Sequence, residues 1–156
     1  MKTLYKYLFV LPLFFLSSCS WVEYFVISNL SDQPIFVTYK LSKLSADKSF
    51  GIFAPVPKIH RLNKKGQLDW GLEQKVYNQD STWNTVQITL QPKYALIIGR
   101  LHNDNYKNSE QNFINGREFN LDFMEIEVNS EIHHISKKTF DHYFKKEKGE
   151  IKFEVN

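Results

Sequence analysis

Between Ile35 and Leu41 the chain alternates with period two: Ile35, Val37, Tyr39 and Leu41 share one phase and Phe36, Thr38 and Lys40 the other. Such alternation commits a segment to an extended strand with one buried face, because successive side chains leave a pleated backbone on opposite sides. The stripe recurs at Val86, Ile88 and Leu90 and again over Ile151 to Val155, while Tyr94 to Ile98 is a continuous apolar run suited to a central strand. Trp21 to Ile27 is strand-like as well. With the pairs of runs discussed below, about nine short strands are expected. The fold class implied is mainly β, an antiparallel β-sandwich with an immunoglobulin-like or barrel-like arrangement as alternatives.

Turn chemistry punctuates these runs. Ser31-Asp32-Gln33-Pro34 and Gln91-Pro92-Lys93 read as turns, and Asn63-Lys64-Lys65-Gly66 as the hairpin turn between Lys58–Leu62 and Gln67–Leu72. Pro55 and Pro57 assign their segment to an edge or loop, since proline donates no ladder hydrogen bond. Asn115-Gly116 is the strongest hairpin signal, and Asn129-Ser130 turns the chain into Glu131 to Ile135. Phe119, Leu121 and Phe123 share one phase while Met124, Ile126 and Val128 take the other, which predicts a β-bulge near Phe123. One short C-terminal helix is expected where Phe140, Tyr143 and Phe144 fall at i, i+3 and i+4, with Ser136 as cap, Lys145-Lys146 at its end and Gly149 beyond.

The amino terminus has another character. Lys2 and Lys6 precede ten apolar residues, Tyr7 to Leu16. Ten residues of helix span about 15 Å, half of a hydrocarbon core, so the segment has the form of a secretory signal peptide and not of a membrane anchor. Leu16-Ser17-Ser18-Cys19 follows, and this tetrapeptide resembles the lipobox of bacterial lipoproteins. The resemblance covers only the first twenty residues. It implies cleavage between Ser18 and Cys19, a diacylglyceryl group on the Cys19 thiol, and acylation of the freed amine. Residues 1–18 are then the leader, and 19–156 a single lipid-anchored β-rich domain. Cys19 is the only cysteine, so no disulfide forms within the chain. Ser20, where sorting in enteric-type bacteria would read an Asp, points to an outer-membrane location facing the periplasm in a Gram-negative host. No flexible tether follows Cys19, so the domain should begin almost at the bilayer, with Trp21 and Tyr24 either in the headgroup layer or packed in the sandwich. Partner binding is then expected at the far end, near Ser31-Asp32.

Loss of Lys2 and Lys6 leaves 18 basic against 17 acidic side chains, a near-neutral balance that offers nucleic acid no electrostatic footprint. Lys64-Lys65 and Lys145-Lys146 read as solvated turn and helix-end charges. No nucleophile elbow, phosphate loop or zinc-protease motif occurs, so no catalytic residue, metal ligand or cofactor is assigned. Adjacent His133 and His134 face opposite sides of a strand; His134 with His142 is the remaining metal pairing, and His60 and His102 read as ordinary histidines. The polar stretch His102 to Asn112 reads as a solvated loop rather than a calcium site. Glu125 and Glu127, two apart on one strand face, read as solvated carboxylates rather than a glycosidase pair. Asp80-Ser81-Thr82 is similar to a short bacterial O-glycosylation motif. The expected function is a non-enzymatic protein-interaction module, its partners the membrane through the lipid anchor and an envelope protein. A small envelope hydrolase or carbohydrate-binding protein, or a toxin-immunity lipoprotein, stands as the alternative.

Overall fold

The computed structural model describes residues 20–71 and 84–156. The leader, Ser18, Cys19, Leu72 and Asp80-Ser81-Thr82 lie outside the described residues. Eleven strands occur among the described residues: β1 Val22–Asn29, β2 Ile35–Leu41, β3 Phe50–Gly51, β4 Phe53–Arg61, β5 Thr85–Leu90, β6 Tyr94–His102, β7 Arg117–Glu118, β8 Leu121–Val128, β9 Glu131–Ser136, β10 Lys145–Glu147 and β11 Glu150–Val155. One helix, α1 (Phe140–Tyr143), precedes β10.

These strands make a β-sandwich. A five-stranded sheet, β10-β11-β1-β6-β4, faces a four-stranded sheet, β5-β2-β8-β9, and a small β3-β7 ladder stands apart from both. Each sheet keeps two free edges, so the barrel alternative is excluded. Phe25 and Ile27 of β1, Leu96 and Ile98 of β6, and Ile151 and Phe153 of β11 share one core with Val37 and Tyr39 of β2 and with Met124 and Ile126 of β8. Burial of a side chain of that size contributes about 1.5–3 kcal/mol, which is why the alternating stripes settle facing each other. β1 is buried on both faces: Val26, with Ala95 and Ile97, forms a second cluster on the sheet's outer side beneath Leu62 and Leu68.

Most of the expected punctuation is present. Asn63 Oδ1 accepts the Lys65 and Gln67 N–H groups, and Leu62 bridges Leu68 across the turn. Asn129 and Ser130 both take positive φ, 50° and 69°, as a two-residue hairpin requires. The bulge near Phe123 is real: β2 pairs Lys40 with Phe123 but Leu41 with Leu121, leaving Asp122 as the extra residue. β4 is an edge strand, and its pairing with β6 breaks between Phe53 and Lys58, around the two prolines.

Several expectations are corrected. The sandwich is not wholly antiparallel, because the last strand, β11, returns to lie parallel to β1, and β3 pairs parallel with β7. Asn115-Gly116 makes no hairpin; Ile114–Gly116 is a single 3-10 turn whose Gly116 (φ 64°) feeds β7. A two-residue turn needs adjacent strands of matching register, and β7 finds its partner in β3 instead. Lys145-Lys146 follow the helix but belong to β10, which joins β11 through Lys148 and Gly149 at φ 49° and 82°; Lys145 Nζ still donates to the Asp141 carbonyl of α1 at 2.8 Å, whereas Lys146 turns to Glu23. Thr139, not Ser136, precedes the helix; Ser136 instead donates its N–H to Thr139 Oγ1 at 2.9 Å.

Candidate functional site

Among the described residues, an open groove of about 540 Å³ runs along the outer side of the five-stranded sheet. Its floor is Ile97 and Gly99 of β6 with Tyr24 of β1. The displaced part of β4 from Phe53 to Val56 forms a wall, and Trp70 and Phe50 line the groove as well. Lys58, Arg100 and Arg117 supply three positive charges, and no carboxylate stands among the described lining residues.

Broken pairing creates the groove. Along β6, Phe25 opposes Gly99 while Val26 opposes Ile97, so Ile98 is skipped by β1; on the other side β4 passes from Phe53 opposite Gly99 to Lys58 opposite Ile97. Both neighbours lose register at the same residue. Bulges of this kind re-aim side chains and open a sheet, and Pro55 and Pro57 keep β4 from closing back.

The displaced strand is held by the core. Tyr39, from the opposite sheet, donates its hydroxyl to the Ala54 carbonyl at 2.7 Å. Burial raises the Tyr39 phenol well above its ordinary value. Asn120 acts as a one-residue strand: its Oδ1 accepts the Phe53 N–H at 2.8 Å and its Nδ2 donates to the Phe53 carbonyl at 3.1 Å. Gly51 lies so close to this amide that a Cβ there would fall 2.3 Å from Nδ2, so the glycine is required by space. Gly99 is likewise required, a Cβ meeting the Ile52 carbonyl oxygen at 2.7 Å. Beneath, Phe53 packs edge-on against Phe119 and Phe25, at 4.9 and 5.1 Å between centroids.

On the surface, Trp70 packs against Tyr24 and over His60, both at 5.0 Å. His60 is buried, and neither ring nitrogen has a hydrogen-bond partner among the described residues. Desolvation lowers its pKa; the nearby Asp69 backbone, short of good hydrogen-bond geometry, opposes this, Lys58 adds to the lowering, and the Asp69 charge opposes it. The pKa of His102 is lowered too, by desolvation and then by Arg100 and Arg117. Arg117 lies 5.8 Å over the Phe50 ring.

The loop after β6 is solvated only in part: Asn103, Asn105, Asn108, Glu110 and Asn112 are exposed. Asp104, Tyr106, Ser109 and Phe113 are buried. Asp104 Oδ2 accepts the Ile114 N–H at 2.7 Å, and Asp141 Oδ2 accepts the Ser109 N–H at 3.0 Å while its Oδ1 takes the Tyr106 hydroxyl at 2.6 Å. Burial, and then Asp141, raise the Tyr106 phenol above its usual range. Glu23, buried in β1, accepts the Tyr106 N–H at 2.8 Å and meets Lys146 at 2.6 Å. Lys146 also reaches Asn105 Oδ1 and the Tyr106 carbonyl. Within the stretch, Asp104, Asn103 and Asn108 use their side-chain oxygens to accept backbone donors that would otherwise be orphaned.

The histidines separate as strand geometry requires: His133 packs on Phe153 and Tyr143, whereas His134 pairs with Glu125 at 3.1 Å. Among the described residues no group of three or more His, Cys, Asp or Glu is placed to hold a metal ion. No helix among them is long and apolar enough to cross a membrane. The groove lies near the start of β1, at the opposite end of that strand from the Ser31-Asp32 turn where partner binding was expected. Sequence reading missed Lys58, Trp70, Arg100 and Arg117 because they come from four separated segments; the two prolines of β4 were the only local signal.

Fold and site together define a β-sandwich with a cationic, aromatic-rimmed groove at a break in one sheet. No protein-family model, curated protein or solved structure matches the chain.

Proposed function

We propose that the chain is a lipid-anchored cell-envelope protein, a non-enzymatic interaction module held at Cys19, with the groove as its binding surface. The observation that carries the binding role is the groove's wall, where Lys58, Arg100 and Arg117 stand beside half-exposed aromatic rings. That composition attracts an anionic group and, among the described lining residues, sets no carboxylate or histidine beside it, the carboxylates Glu23, Asp104 and Asp141 being engaged by backbone donors or lysine elsewhere. The anchor rests on the leader and on Leu16-Ser17-Ser18-Cys19. In a Gram-negative host, Ser20 directs the protein to the outer membrane, facing the periplasm.

Metabolic labelling with a fatty acid tests the anchor. The wild-type chain takes up label, and Cys19→Ala loses it, with the precursor accumulating or being released. Label retained by Cys19→Ala would remove the basis of this reading.

A further inference from the structure

We infer that the groove docks on the membrane that holds the anchor, its cations taking the phosphates of anionic phospholipids. This rests on acylation at Cys19 and adds the occupant of the groove and the attitude of the domain.

Proximity is the first argument. One residue, Ser20, separates Cys19 from Trp21, a reach of about 7 Å at most. Trp21 is then tied down: it donates its N–H to Asn103 Oδ1 at 3.2 Å, accepts the Asn103 N–H at 3.0 Å, and donates Nε1 to the Asp104 carbonyl at 3.3 Å. Tyr24, in the groove floor, follows about 10 Å further along the strand. The groove is thereby held within about 17 Å of the acylated residue, and a strand inclined to the bilayer brings it onto the headgroup layer, itself about 5–8 Å deep.

Surface chemistry is the second. Phe50 (60% exposed), Trp70 (50%) and Val56 (49%) project from the rim, and Trp21 (51%) stands at the anchor end of β1. Large apolar side chains grouped on one rim mark an interaction surface, and aromatic rings flanked by Lys and Arg suit the boundary between headgroups and acyl chains. Lys58, Arg100 and Arg117 complement phosphate, and Arg100, directly opposite Tyr24 in the sheet, is exposed. An acidic protein segment would satisfy the cations but would leave the nearness to Cys19 without a role.

The test uses the purified mature chain in vesicles of phosphatidylcholine, with or without phosphatidylglycerol. A fluorophore is placed by Val56→Cys at the rim or by Gln87→Cys on the opposite sheet's exposed face, and quenching by spin-labelled lipid is read. Docking predicts strong quenching at position 56, little at 87, and a contrast that needs phosphatidylglycerol and fades in 0.5 M salt. Lys58→Ala with Arg100→Ala, both exposed positions, lowers the affinity of the docked state about thirtyfold, at roughly fivefold per cation. Equal quenching at both positions, indifference to phosphatidylglycerol, or a shift produced as strongly by hexaglutamate would overturn the docking. The mass of the same sample reports the acyl chains separately. Should they be missing, the anchor reading falls, and flotation of that sample decides the groove: flotation with phosphatidylglycerol vesicles alone supports it, and none with either overturns it.

Discussion

Replacing Asn120 with alanine probes how the displaced strand is held. Its amide is buried and satisfies both backbone groups of Phe53, at 2.8 and 3.1 Å. Each orphaned buried group costs about 1–3 kcal/mol, so Asn120→Ala should destabilise by about 3 kcal/mol and lower Tm by roughly 10 °C. Gly51→Ala should cost a similar amount by a different route, since its Cβ would lie 2.3 Å from Nδ2 and 2.4 Å from Cγ and must push the amide off Phe53. Combined, the two changes share one loss: with the amide gone, the methyl introduced at position 51 enters the vacated space. The double variant should therefore be about as stable as Asn120→Ala alone, giving a coupling of about 2 kcal/mol or more. Equilibrium urea unfolding of the four proteins, with m-values compared to confirm a common transition, measures the cycle. Additivity within about 0.5 kcal/mol would refute the idea that Asn120 substitutes for a strand.

Stability should fall as pH drops below about 6.5, because the lowered pKa values of His60 and His102 favour the folded state only while the unfolded histidines are neutral. His60→Phe should reduce that loss, as read from urea midpoints between about pH 7 and pH 5. At the alkaline end the raised phenols of Tyr39 and Tyr106 act in reverse: their contribution is full below about pH 10 and lost above it, so unfolding above pH 10 should release protons. At the Glu23–Lys146 pair, Glu23→Gln keeps an acceptor for the Tyr106 N–H and should cost only about 1 kcal/mol, the lysine being partly exposed. Glu23→Ala also orphans that N–H and should cost about 3 kcal/mol; equal losses in thermal unfolding would show that the backbone bond carries nothing.

Local patterning determined the β character, the buried faces and most turns. Ile35 to Leu41 could bury its stripe only as a strand, the phase change at Phe123 required an extra residue, and Asn63 to Gly66 carried its own hydrogen bonds. These depend on side-chain direction and on φ at single residues, which a short window contains. The helix was less legible: Phe140, Tyr143 and Phe144 have helical spacing, yet α1 ends at Tyr143 because the lysines beyond it are drawn into β10, one of them to Glu23. Only the tertiary structure decided that β11 lies parallel to β1, that Asn120 serves Phe53 across 67 residues, and that Lys58, Trp70, Arg100 and Arg117 surround one groove. A period in the sequence states which face is buried and nothing about what covers it. Partners are chosen when distant segments close together, and the groove exists because, at Ile98, two strands on either side of β6 both fail to keep its register.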